Sequence, residues 1–457
     1  DLVDDDGEVV GRDAVRADQH WIADDVGVKR HLAAHDIIEG DVSVLRHAQA
    51  DDSRLAGVLA AAGLVLGDGA AGARVFRRKP GGELRLLMGR AQDVRMGSVY
   101  GYARLVRYNE KFELIPDILA SLDNDGDKVF TLHLRPGHRW SDGKPFTAED
   151  FRYWWEDVIN NKQLQAAGPP KELLSDGKPP KVEFIDETTI RYSWATPNPA
   201  FLPALAGAAP TYIYRPAHYL KQFHQKYTDE ATLKALVEKA KVRSWTVLHN
   251  RTDASSRNDN PDQPTLDPWT IQTRAPSERF VLARNPYFHR VDSRGQQLPY
   301  IDRVVMSIAD GRIIPAKTGS GESDLQARYL TFNNYTFLRQ AAKRNAMQVN
   351  LWDTARGAQV ALYPNLSVND PVWRKLNRDA RFRRALSLAI NRHEINQVIY
   401  FGLAIEGGNT VLPNSPLYKK EYREAWSRFD LKEANRLLDE LGMTKRDARG
   451  EIGRAHV

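Results

Sequence analysis

The stretch Val129–Val158 limits the fold of this chain more than any other. Phe130, Leu132 and Leu134 alternate with Thr131, His133 and Arg135, the two-residue period of a half-buried strand. Arg135-Pro136-Gly137 then breaks the chain, because proline fixes φ and glycine supplies the permissive turn position. A second turn follows at Ser141-Asp142-Gly143-Lys144-Pro145. Thr147 is placed to cap a helix, and Asp150 stands three residues later in the reciprocal position of a capping box. The helix should run through Phe151, Trp154, Trp155 and Val158. Strand, turns and capped helix in this order are a unit of α/β folds.

With 457 residues the chain exceeds one ordinary core, so two or three domains are expected. Apolar content of 42% and charged content of 27% are those of a globular protein. The net charge of +6 is spread along the chain without basic runs, which argues against a nucleic-acid partner. No apolar run reaches the roughly 18 to 20 residues of a spanning helix, so no direct membrane insertion is expected. The absence of cysteine removes disulfides, thiol catalysis and thiolate metal sites. An exported form would also lack a lipidated cysteine, and is expected free in the periplasm.

Residues 1–53 are rich in Asp, Ala, Val, Arg and Gly and sustain no clear period. They read as a non-native or disordered extension, with a native acidic segment as the other account, and are set aside from the fold. Residues 54–79 have a basic flank at Arg54, an apolar core from Leu55 to Leu66 and a small-x-small site at Ala71-Gly72-Ala73. That is the layout of a secretory signal peptide leading into the mature chain; a buried Ala/Leu helix is the alternative. Gly67-Asp68-Gly69-Ala70-Ala71-Gly72 matches a dinucleotide fingerprint literally. Arg77 to Gly82 would end the helix such a site requires, so no cofactor is expected.

Further along, Glu83 to Met88 reads as a strand, and Val182 to Trp194 as a strand pair turning at Asp186-Glu187. Ala217 to Phe223 and residues 229–242 read as helices, and residues 250–264 as a polar loop. A zinc helix is started by His393-Glu394 but not completed, since no second histidine follows one turn on.

"LRPGHRWSDGKPFTAEDF" within the opening stretch resembles the signature of the extracytoplasmic solute-binding proteins of ABC importers, family 5, the class of dipeptide and oligopeptide receptors. The resemblance spans about residues 80–445. It includes Tyr100 to Tyr108, the hairpin from Phe280 to Tyr287, the strand Leu298 to Val305 and the turn Gly321-Glu322-Ser323-Asp324. It continues through a strand at Ala361 to Asn365, a buried-face helix over Arg378 to Arg392 and the run Phe429 to Gly442. One departure falls at Pro264-Thr265-Leu266-Asp267-Pro268-Trp269, where the family has Gly-Thr-Gly-Pro-Tyr.

The resemblance implies an α/β, two-lobed periplasmic binding protein of type II, large peptide-binding class, with mixed sheets flanked by helices. Lobe I with its extra subdomain would be 80–309, a partial lobe II 310–445, with the hinge near Asp310 and a non-native tail at 446–457. The chain is expected to be truncated at its C-terminus. The implied partners are a peptide or similar small solute and the permease subunits of an ABC transporter, the protein acting as a monomer. Candidate ligand-binding residues are Tyr100, Tyr102, Trp269, Trp352, Tyr363 and Asn365, since rings cover apolar surface and amides fix polar ligand atoms. No catalytic residue and no metal is expected; the alternative is a periplasmic hydrolase acting on peptides or sugars.

Overall fold

The computed structural model describes residues 42–46, 81–109, 111–351, 357–413 and 415–446. They fall into two compact units divided after Leu351, so the crossing near Asp310 lies inside the larger unit. The signal-like segment, the glycine motif at 67–72, Trp352 and residues 447–457 lie outside the described residues.

The strands of the larger unit are β1 (Val42–Arg46), β2 (Glu83–Met88), β3 (Val106–Tyr108), β4 (Leu114–Pro116), β5 (Leu119–Asp125), β6 (Val129–Leu134), β7 (Lys181–Phe184), β8 (Thr189–Ser193), β9 (Trp269–Ile271), β10 (Arg279–Arg284), β11 (Arg303–Ile308), β12 (Leu325–Gln326) and β13 (Met347–Leu351). Among the described residues they form sheets of order β5-β6-β8-β7, β2-β11-β10-β9, β12-β1-β13 and β3-β4.

The alternating segment of the opening stretch is β6, interior to its sheet and antiparallel to β5 and β8. Phe130, Leu132 and Leu134 enter a core shared with Phe151, Tyr153, Trp154, Ile190, Tyr192 and Phe201. The capping box forms as the spacing predicts. The Thr147 side chain accepts from the Glu149 N–H, and the Asp150 carboxylate accepts from the Thr147 N–H at 3.0 Å. Asp150 also accepts from Trp140 Nε1 at 3.1 Å and from the Ala217 N–H at 2.9 Å, so one buried carboxyl ties turn, helix start and a distant helix together. Burial pushes this carboxyl up to about 7 against the pull of those donors. Past Arg152 the helix widens into a π turn over Tyr153–Ile159. The π spacing buries Tyr153 and Ile159 along with Trp154 and Val158, and leaves Trp155 half-buried.

In the second sheet β2 runs parallel to β11, while β10 is antiparallel to both β11 and β9. Its core holds Leu84, Leu86, Met88, Phe280, Leu282, Val304 and Met306. The outer edge of β2 is covered by side chains. Gln326 accepts from the Leu87 N–H and donates to the Leu87 carbonyl, both at 3.0 Å. Asp324 accepts from the Arg85 N–H at 2.8 Å and pairs with its guanidinium at 2.7 Å.

Several expectations are corrected. The segment set aside from the fold contributes β1, which runs antiparallel between β12 and β13. The polar loop begins only at Asp253, because Ser244 caps a helix over Trp245–Thr252. The strand expected from Leu298 begins at Arg303. Ala361 to Asn365 is not a strand: Pro364 has no N–H to give a ladder, and no described strand pairs with the segment. The helix expected over Arg378 to Arg392 is interrupted. Asp379 caps Ala380–Leu388, and Asn391 caps a new helix, Arg392–Tyr400. In the smaller unit Ala385 and Leu388 pack against Ala434 and Leu437 of Leu431–Glu440. Among the described residues no helix is long and apolar enough to cross a membrane.

Candidate functional site

The short helix Met96–Gly101 stops at Tyr102, which adopts the left-handed conformation, φ 42°, and returns its N–H to the Ser98 carbonyl. Gly101 lies directly on Pro268, where a Cβ would stand 2.7 Å from the proline ring. Two residues after Tyr102, Arg104 is almost fully buried. Its guanidinium donates to the carbonyls of Ala103, Ser98, Gly207 and Ala208 at 2.8, 3.3, 3.0 and 3.0 Å. The Tyr102 hydroxyl donates to the Ala206 carbonyl at 2.7 Å. One arginine and one tyrosine therefore fasten the 96–105 segment to residues 206–208.

Asp117 fastens the same segment from the other side. It accepts from the Arg104 N–H at 3.0 Å, from Arg290 Nε at 2.8 Å and Nη2 at 2.6 Å, and stands 3.1 Å from His289 Nε2. Arg290 also donates to the Tyr102 carbonyl at 2.6 Å. Burial works to raise the Asp117 carboxyl, but the hydrogen bonds from His289 and Arg290 and the Arg290 charge hold it far below the usual range.

Beside this frame lie groups whose polar atoms are less committed. Asp267 is half-buried and, among the described residues, forms no ion pair. Burial pushes its carboxyl up to about 6, opposed by Arg104, a hydrogen bond from Thr265 and Arg290. The half-buried Tyr212 phenol is raised by burial; Arg104 and the nearby Ser98 hydroxyl oppose this, and Asp267 reinforces it. The buried Ser98 hydroxyl donates to the Arg95 carbonyl at 2.9 Å, whereas a carboxyl and a phenol set around a buried arginine can exchange hydrogen bonds with hydroxyl or ammonium groups of a bound molecule. They do so without the geometry of a nucleophile and its base.

The residues singled out in the sequence divide. Tyr100 and Trp269 come together, but in the core. With Leu84, Leu86, Gly97, Val304 and Leu325 they line a cavity of about 10 Å³, room for one water at most. Burial pushes the Tyr100 phenol up to about 12, with Arg328 opposing and Asp93 adding to the effect. The Trp269 indole donates to the Ile301 carbonyl at 3.1 Å. Tyr102 has its hydroxyl spent on Ala206, and Tyr100 is only partly exposed, its ring packed against the core of the second sheet. In the smaller unit Tyr363 is exposed, its hydroxyl accepting from Asn409 Nδ2 at 2.6 Å. The Asn365 side chain closes its own turn by accepting from the Ser367 N–H at 2.9 Å. His393 of the incomplete zinc helix faces Glu406 at 3.0 Å. Asp267 and Tyr212 were not singled out; the signal for Asp267 was the departure from the family pattern at 264–269.

Comparison with known proteins bears on what this arrangement serves. The model of the bacterial extracellular solute-binding proteins, family 5 (middle), matches residues 113–452. The periplasmic alpha-galactoside-binding protein of Rhizobium meliloti is 28% identical over 358 residues, 75% of this chain and 48% of that protein. The periplasmic oligopeptide-binding protein OppA of Salmonella typhimurium is 23% identical, over 72% of this chain and 55% of its own length. A solved structure of an oligopeptide-binding protein OppA superposes with a TM-score of 0.63 at 33% identity, covering 82% of this chain and 59% of that one. The periplasmic binding protein MelB of Agrobacterium fabrum C58, in complex with stachyose, gives 0.57 at 21% identity, over 81% of this chain and 56% of its own. The chain thus spans about half the length of the curated relatives it matches.

Proposed function

Because the chain belongs to the bacterial extracellular solute-binding proteins of family 5, we propose that it captures a small solute in the periplasm and delivers it to the permease of an ABC importer. The solute is a peptide or an oligosaccharide, taken up by a monomer and released unchanged. The family's two-lobed fold supports hinge closure as the means: a ligand with higher affinity for the closed form shifts the population toward it. The observation that carries this reading is the family match over residues 113–452, shared with relatives named for alpha-galactosides and for oligopeptides. On the larger unit, Asp267 and Tyr212 accept and donate to the ligand's polar groups, with the partly exposed Tyr100 a further candidate. On the smaller unit, taken by itself, Tyr363 and Asn365 are candidates for polar contacts with a ligand.

A thermal-shift screen of the purified chain against peptide pools and against raffinose-type galactosides tests the reading. A ligand at 100 times its dissociation constant stabilises by about 2.7 kcal/mol. One class should raise the melting temperature, and Asp267→Asn should weaken that ligand about tenfold or more, the scale of one charge-assisted hydrogen bond. No shift with either class, or conversion of the ligand to product by pure protein, would count against it.

A further inference from the structure

Two histidines in the frame around Asp117 have ring nitrogens that find no hydrogen-bond partner among the described residues: both nitrogens of His138, and Nδ1 of His289. His138 follows the Arg135-Pro136-Gly137 turn after β6 and is 8% exposed. Its ring packs on Phe146 and on His289, each with centroids 5.4 Å apart. His289 stands 3.1 Å from Asp117 Oδ1, and its neighbour Arg290 holds both Asp117 and the Tyr102 carbonyl. We infer that the His138–His289 pair is an acid-sensitive latch on the segment carrying Tyr102, shut while both rings are neutral and opened by a proton on His138.

The charges facing the pair decide the sign. Arg135 comes from the turn itself and donates to the Asp117 carbonyl at 3.1 Å. Arg290 comes from the 286–291 loop, and Asp117 from the end of β4. The Asp117 carboxylate already accepts from Arg290, His289 and the Arg104 main chain, which leaves it little capacity for a further cation. A proton on His138 therefore adds a third positive group to a dry site served by one carboxylate. Burial first, then His289 and Arg135, hold His138 down to about 4, with Asp117 pulling the other way. Burial also lowers His289, the Asp117 hydrogen bond opposing it. A freed imidazole takes its proton near pH 6.5. Between about pH 4 and 6.5 the opened form consequently binds more protons than the closed one. Opening becomes easier as pH falls through that window, and the latch is tightest above it. Its movable part is the proline–glycine turn, and its load is Arg290, the donor that steadies Tyr102.

Hydrogen exchange of the whole chain at pH 7.5 and 4.5, corrected for intrinsic rates, tests the latch. Protection in residues 96–105 and 137–139 should fall at least tenfold more than in β5, β6 and β8 at the acid pH. His138→Phe, which keeps a ring but no titrating nitrogen, should abolish that selective loss; where it fails to fold, His138→Gln serves the same purpose. The inference is overturned if the wild-type protein shows no selective loss at pH 4.5, or if the folded variant shows the same loss.

Discussion

Replacing Arg290 by Gln should be among the most damaging single changes in the larger unit. Arg290 makes three short charge-assisted contacts, two to Asp117 and one to the Tyr102 carbonyl. Asp117 is almost completely buried, and its pair with Arg290 is only partly exposed on the arginine side. Hydrogen bonds to charged groups contribute about 1.5–3 kcal/mol each. Their sum is an upper bound, because desolvating both ions opposes it. Removing one partner of a buried pair leaves the other charge uncompensated, at a cost of about 3–5 kcal/mol. His289 and the Arg104 N–H stay on Asp117, so the lower part of that range is expected. Arg290→Lys should restore only part of the loss, since an ammonium cannot match the two-oxygen fork. Asp117→Asn and the double variant complete a cycle whose coupling should be about 2 kcal/mol, within the range for residues in direct contact. Urea unfolding at pH 7, followed by the fluorescence of Trp140, Trp154, Trp194 and Trp269, reads the effect. The pH dependence gives an independent check. Asp117 is depressed in the folded state, so its contribution is present above the ordinary carboxyl value and lost only as pH falls below it. In Arg290→Gln burial is opposed by less, and acid unfolding should begin at higher pH. A loss under about 1 kcal/mol, or an unchanged acid limb, would refute the claim that this pair holds the Tyr102 segment.

Phe201→Ala should cost about 3–5 kcal/mol by cavity formation, because the ring sits against Phe130, Tyr192 and Trp194 with centroids 5.0–5.2 Å away; chemical denaturation reads it. Gly311→Ala should cost about 1–3 kcal/mol, since its Cβ would stand 2.9 Å from the Tyr329 ring, and Gly89→Ala should cost at least as much against the same ring. Relief of the Gly311→Ala loss in a Tyr329→Ser background, seen in the same melts, would confirm the contact. Thr147→Val should cost about 1 kcal/mol through the lost helix cap, with the π turn after Arg152 the first region to lose exchange protection.

The parts of the fold legible in the sequence are those set by short-range pattern. The alternation at Phe130, Leu132 and Leu134 and the Thr147–Asp150 box appear as read, because strand period and capping are local properties. The π turn at Tyr153–Ile159 was not legible, because a 3.6-residue period assumes a regular helix and tertiary packing of Tyr153 and Ile159 overrides it. The break at Asp379 hid for a similar reason: the apolar spacing from Phe382 to Ile390 is continuous, while the caps at Asp379 and Asn391 end the regular turns on either side. At the candidate site, aromatic character pointed to Tyr102 and Trp269 without saying where their polar atoms would be spent. Those commitments, to Ala206 and Ile301, depend on chain segments 104 and 32 residues away. Asp267 drew no notice as a site residue, because a lone carboxylate has no pattern until burial separates it from its neighbours.

The side chains of Asp324 and Gln326 have a consequence for solubility. An unpaired margin of a sheet is a template on which foreign extended segments can grow, and β2 is such a margin. The carboxamide of Gln326 imitates a peptide group, offering one acceptor and one donor to Leu87, while Asp324 takes up the amide of Arg85. The hydrophobic strand ELRLLM is thereby closed to recruitment by another molecule, through two side chains borrowed from Asp324 and from β12, 239 residues downstream of their partners Arg85 and Leu87.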